Sequence, residues 1–267
     1  MPIAARRSLV IALPALLGMR PALAQVKDLH DAINKAGRQR MLSQRCASAW
    51  LALGQGVRSE QAEKVLAESM AQFDRALVEL RAFAASASGA RAVYAELDAG
   101  WSAYKLALVG QAPRKAAADA LLASGDKVLA LAHQGTEQLE QLSGRQTVGR
   151  LVNLAGRQRM LSQRMAASYL AASWGVAHAE AQVRVLAQAQ QEFQAAHAQL
   201  KEATDSNNNP AIRQGLELVE QQYAFFSAAL RGLRPAQADA RAQADVFTAS
   251  ERILQVMDGV TGQYARL

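Results

Sequence analysis

Two identical decamers, AGRQRMLSQR at positions 36–45 and again at 155–164, each place three arginines in a stretch that has no carboxylate of its own. From Ala32 to Ser59 and from Gln141 to Ala179 the chain contains neither Asp nor Glu. An arginine cannot discard its charge, and its planar fork of N–H donors matches carboxylates and other planar oxyanions. The chemistry these residues can perform is therefore anion binding. Proton transfer and nucleophilic attack lack their usual partners, since no Gly-rich phosphate loop, nucleophile elbow or repeated carboxylate pair is present. Enzymatic activity is not expected.

Helical geometry separates one arginine of each decamer from the others. With Arg40 set at zero and ~100° per residue, Leu29, Ile33, Ala36, Gln44, Ala47 and Leu51 fall within about 40° of it, whereas Arg38 and Arg45 lie at roughly 140–160°. Arg40 thus interrupts a stripe of apolar and small residues. Arg159 does the same among Val148, Val152, Ala155, Gln163, Ala166 and Leu170. Small residues at Ala36, Gly37, Ala155 and Gly156 allow a neighbouring helix to come close, so each guanidinium is expected at a seam partly removed from water. A buried cation needs a compensating group, which either another helix or a ligand must supply. Arg38, Arg45, Arg157 and Arg164 are expected to be solvated or to bridge to acids on neighbouring helices. Met41-Leu42 and Met160-Leu161 are expected in the core.

The elements that hold these residues are helices. Ala, Leu, Gln, Arg and Glu dominate, aromatic residues make up 5%, and β-branched residues are sparse. Interruptions at Gly54–Gly56, Ser86–Gly89, Gly110–Pro113, Ser143-Gly144, Trp174–His178, Ser206–Pro210 and Gly232–Pro235 divide the pattern into eight helices, four per copy, the first running from about Val26 to Leu53. Outside the decamers the repeat fades but continues. Ile33-Asn34 answers to Val152-Asn153, Phe73 to Phe193, Trp101 and Tyr104 to Tyr223 and Phe226, and Ala123-Ser124 to Ala249-Ser250. Short connections favour antiparallel neighbours, so the expected fold is all-α: two tandem antiparallel four-helix bundles related by a pseudo-twofold. The copies are expected at 25–143 and 144–267, after a cleavable export signal at 1–24. That segment has Arg6 and Arg7, an apolar stretch from Leu9 to Gly18 and an Ala22-Leu23-Ala24 cleavage motif. The expected location is the periplasm, by the Sec or the twin-arginine route, and no transmembrane helix is expected in the mature chain.

Other classes find little support. Without Arg6, Arg7 and Arg20 the formal charge falls from +7 to +4, which does not suggest a nucleic-acid binder. His30, His133, His178 and His197 make no haem or metal pattern, so neither a cofactor nor a metal is expected. Cys46, answered by Met165, is expected to be a small buried residue.

The pattern Ile33-Asn34-x-Ala36-Gly37-x-x-Arg40-Met41-x-Ser43-x-Arg45, repeated from Val152 to Arg164, resembles the first-helix motif of the periplasmic sensor domain shared by nitrate/nitrite sensor kinases and type IV pilus methyl-accepting chemoreceptors, the NarX/PilJ type. The resemblance implies a four-helix bundle whose first helix meets its counterpart across a dimer interface, one arginine from each side holding a nitrate or nitrite. Those arginines correspond to Arg40 and Arg159. A duplicated chain would supply both halves itself. Two guanidinium groups about 6 Å apart repel by ~3 kcal/mol at an effective dielectric of ~20, and a shared anion would turn that repulsion into attraction. Arg38-Gln39 and Gln44 follow the pilus-receptor version of the motif, for which the resemblance implies no definite ligand. The expected function is a soluble sensory protein that holds a small inorganic oxyanion and signals through a partner such as a membrane receptor, kinase or transporter. The alternative is a structural or interaction bundle whose arginines bind acids of the same chain.

Overall fold

The structure, a computed structural model, describes residues 26–85, 88–142, 147–207 and 209–267. The expected export signal and the expected boundary at 143/144 lie outside the described residues.

Local chemistry sets the helix ends. Helix α1 spans Leu29–Gly54, starting three residues later than Val26, because Asp28 is extended and its carboxylate accepts the N–H of Asp31. Its stop is a left-handed Gly56 (φ 69°), with the Gly56 N–H donating to Leu53 O and the Val57 N–H to Ala52 O, while Val57 is buried. The first helix of the second copy, α5 (Thr147–Trp174), ends in the same way. There Gly175 has φ 70°, and the N–H groups of Gly175 and Val176 donate to Ala172 O and Ala171 O. The remaining helices are α2 (Ser59–Ala84), α3 (Ser88–Val109), α4 (Ala118–Leu142), α6 (Ala179–Asn207), α7 (Pro210–Leu230) and α8 (Ala240–Tyr264). Pro210 opens α7 behind Asn209, whose side chain accepts from Ile212 N–H, and Asp239 caps α8.

In the first bundle α1 packs on α2 and α4, and α3 packs on both of these; α5, α6, α7 and α8 repeat the arrangement. Each bundle is pinned by an aromatic trio. Phe73 stacks on Trp101 at 3.8 Å with Tyr104 edge-on at 6.0 Å, and Phe193 stacks on Tyr223 at 4.6 Å with Phe226 edge-on at 6.5 Å.

The bundles join along α1 and α5, which run parallel. Gly37 faces Gly156 at one level, while Gly54 meets Trp174, and Gln55 donates to Leu170 O, near the other end. The chain is therefore all-α, two tandem helical bundles with the first helix of each at the centre. No helix among the described residues is long and apolar enough to cross a membrane.

Candidate anion site at the helix seam

The central position of α1 and α5 explains why the decamer is so demanding. Each of these helices packs chiefly on two others of its own bundle and on its counterpart across the seam, with a lighter contact to the last helix of the other bundle. In both copies the same eight of ten decamer residues are buried, including Gln39, Ser43 and Gln44 and their counterparts Gln158, Ser162 and Gln163. The partly exposed ones are Arg38 and Arg45 in the first copy and Arg157 and Arg164 in the second. A one-sided apolar stripe is thus only part of the pattern, because these helices have no fully solvated face here.

Arg40 and Arg159 are 1% and 0% exposed. A helical side chain leans toward the N-terminus of its helix, and each guanidinium accordingly reaches back and across the seam to the opposite asparagine. Arg40 Nη2 donates to Asn153 Oδ1 at 2.7 Å, and Arg159 Nη2 donates to Asn34 Oδ1 at 2.9 Å. The glycines make room for this crossing. A Cβ on Gly37 would stand 3.2 Å from Arg40 Nη2, 3.7 Å from Arg159 Nη2 and 4.0 Å from the Gly156 Cα. Gly156 mirrors it, with Arg159 Nη2 at 3.3 Å and Arg40 Nη2 at 3.5 Å. Two cations therefore converge on one point, with Ala36 and Ala155 fully buried beside them. Burial and the Arg159 charge pull the Arg40 guanidinium down to about 10; burial pulls Arg159 to about 10 against the attraction of Asp258. Both stay charged at neutral pH.

The compensating groups differ between the copies. Arg159 Nη1 forms an ion pair with Asp258 of α8, and Arg38 Nη2 binds the same carboxylate at 2.7 and 2.9 Å. Burial alone would raise the Asp258 carboxyl, but Arg159 and Arg38 outweigh it and hold it below its ordinary value. Arg40 Nη1 instead lies 3.3 Å from His133 Nδ1, on α4. Burial and the Arg40 charge lower the His133 imidazole below its ordinary value. A neutral ring can accept from Arg40 at Nδ1 and donate from Nε2 to Glu137, 3.3 Å away. Among the described residues no carboxylate lies within 4 Å of the Arg40 guanidinium. Glu140 acts at one remove, accepting from the Asn153 amide, and Glu137 and Glu140 contribute only at longer range. The Nε atoms of both Arg40 and Arg159 are buried without a hydrogen-bond partner.

His133 and Asp258 are equivalent positions. Pairing Ala123-Ser124 with Ala249-Ser250 sets α4 against α8 at an offset of 126 and places Ala132 opposite Asp258. Packing corrects this to 125. At that offset Asp126 matches Glu251, Val128 matches Ile253 and Thr136 matches Thr261, all of the last four being buried. The ion pairs agree: Arg45 of α1 binds Glu251 of α8, and Arg164 of α5 binds Asp126 of α4, so each crosses to the other bundle. Arg38 crosses likewise to Asp258, whereas its counterpart Arg157 turns to Glu192 on α6 at 2.7 Å. All four outer arginines bridge to acids on neighbouring helices.

Arg40, Arg159 and the small residues around them are legible in the sequence; their partners are not. Asn34 and Asn153 left a signal, since a polar residue recurs in each copy beside an apolar one. His133 and Asp258 left one only at the corrected helix register. Cys46 is buried, with its thiol pushed up by burial, and answers to the buried Met165.

Comparison with curated proteins and with solved structures found no match. A family model does match, twice: type IV pili methyl-accepting chemotaxis transducer N-term, PilJ, over residues 22–133 and again over 141–247. Together the two matches cover most of the chain and fall one on each bundle, the first ending within α4 and the second within α8, each including the helix that carries the decamer. This chain belongs to the PilJ family of type IV pili chemotaxis transducer N-terminal domains, and it carries the domain in two tandem copies.

Proposed function

We propose that this protein is a periplasmic sensory module that binds a small oxyanion at the Arg40–Arg159 pair and passes the signal to a partner protein. The observation that carries this reading is an imbalance of charge. Two fully buried guanidinium groups converge across the Gly37–Gly156 contact, and only one of them has a carboxylate within ion-pair distance among the described residues. An anion at the seam would relieve the repulsion between α1 and α5 and change how closely they pack, a two-state response of the kind that signalling uses. Membership of a chemotaxis-transducer family supports the sensory role. Nitrate and nitrite are the first candidates, because a planar trigonal ion suits the guanidinium fork.

Thermal melting in sodium nitrate, nitrite and chloride tests the proposal. A ligand selective for the folded state stabilises it by about 2.7 kcal/mol at a hundredfold excess over Kd. Nitrate or nitrite should raise the Tm above the chloride control, and Arg40→Ala should abolish the rise. A second reading, a structural pseudo-dimer with no small ligand, draws on the Arg159–Asp258 pair and predicts equal melting in all three salts.

A further inference from the structure

The two half-sites share eight buried decamer positions and differ in what α4 and α8 present to them. Asp258 stands against Arg159 and Arg38, while His133, at the equivalent position, stands against Arg40. The surface above each arginine differs as well. A groove of about 370 Å³ between α4, α5 and α6 is lined by Arg40, by the ion pairs Arg157–Glu192 and Arg164–Asp126, and by apolar residues that include Leu129, Met160 and Val185. The corresponding groove between α1, α2 and α8 is polar at several of its walls, with Gln61, Gln72, Arg75 and Gln255, and Asp258 lies in its lining where the first has His133. Arg40 lines its groove; Arg159 does not line the other.

We propose, building on the anion-binding reading above, that Asp258 is a built-in anion that closes the Arg159 half, and that the Arg40 half takes one external ligand, a small organic monocarboxylate entering through the α4–α5–α6 groove. Asp258 itself shows the pose, a carboxylate shared between an inner arginine and an outer one of the other copy. In the open half the same pose lies between Arg40 and Arg157. Three features of that half fit an incoming carboxylate. Arg40 is 1% exposed and, unlike Arg159, has no carboxylate within ion-pair distance among the described residues. Its Nη1 is met only by a neutral ring nitrogen at 3.3 Å, which an anionic oxygen would replace. Arg157 sits at the mouth, held by Glu192 in an ion pair that is partly exposed and thus easily exchanged. The apolar wall would accommodate a short carbon chain, for which nitrate has no counterpart. Duplication within one chain permits this division of labour, because the two halves can diverge as those of a symmetric homodimer cannot.

Isothermal titration calorimetry of the full chain with sodium butyrate, acetate and nitrate, beside melting of the ligand-free variants, decides the matter. Wild type should bind one equivalent of butyrate, several-fold more tightly than acetate. His133→Asp would install the missing carboxylate; it should weaken butyrate binding at least tenfold and raise the ligand-free Tm by about 3 °C or more. Asp258→His should add a second equivalent, and His133→Asp keeps the test decisive if that variant does not fold. Two equivalents in wild type, or butyrate binding unchanged by His133→Asp, would overturn the asymmetry while leaving the anion-binding reading in place. Nitrate binding with no response to either carboxylate overturns the carboxylate assignment alone. No binding of any of the three salts removes the anion reading and this inference together.

Discussion

The Arg159 and Arg40 halves of the seam have the same decamer, the same burial and the same asparagine across the interface, yet one is closed by a carboxylate and the other faces an imidazole. The difference shows that what a buried arginine can do is set by the helix opposite it. Identical guanidinium groups in identical helices become a structural ion pair in one copy and an under-compensated cation in the other. Divergence has occurred at the partner helix, where one residue changes the charge without disturbing the packing of α1 on α5.

Removing the carboxylate from the closed half should produce the largest effect. Asp258→Asn leaves Arg159 and Arg38 without their shared anion and should destabilise the protein by about 2–4 kcal/mol, the lower part of this range being favoured because Asp258 is partly solvated. His133→Asn, at the equivalent position, should cost under about 1 kcal/mol, as it exchanges one neutral acceptor for another. Urea unfolding of the two variants beside wild type measures the contrast; equal losses would show the halves to be energetically alike.

Acid should separate the halves next. The folded-state value of His133 is below its ordinary 6.5, so below about pH 6.5 the unfolded chain takes up the proton more readily than the folded one and stability declines. The groups that act on the ring are Arg40 from α1, Arg157 from α5, and Glu137 and Glu140 from α4 itself. Asp258 is depressed from 3.8, so its contribution persists above that pH and is lost only as the pH falls below it. Between pH 7.5 and 5.5 the urea midpoint of wild type should therefore fall more than that of His133→Asn. His197 is also lowered, by burial, and its share cancels in this comparison. Parallel declines in the two proteins would place the acid sensitivity elsewhere.

The smallest contrast lies at the glycines. Ala in either helix gains up to about 1 kcal/mol in helix propensity, but its methyl presses on a guanidinium nitrogen at 3.2 Å for Gly37 and 3.3 Å for Gly156. Arg159 is anchored by both Asn34 and Asp258, and so yields less than Arg40 does. Gly156→Ala should come out less stable than Gly37→Ala by a few tenths to about 1 kcal/mol in urea titrations. The reverse order would mean that Arg40 is the more rigidly held of the two.

The repeated decamer, its freedom from acids and the angular position of Arg40 and Arg159 were enough to specify an all-helical duplication with a buried arginine in the first helix of each copy. Those features are local: helix periodicity and charge type act within a few turns, and the Gly, Asn and Asp punctuation that ends the helices is read from neighbouring residues. The compensation of the two arginines was not local. His133 lies 93 residues from Arg40 and Asp258 lies 99 from Arg159. Only packing of α4 and α8 against the central pair fixed the register that makes those two residues equivalent. Tertiary structure also decided that α1 and α5 have no fully solvated face along the decamer, because burial around a helix depends on how many helices meet there, and a single helix's pattern records only the faces, not their neighbours. The sequence by itself determined that two fixed positive charges would be buried; the fold decided which of them would be neutralised from within.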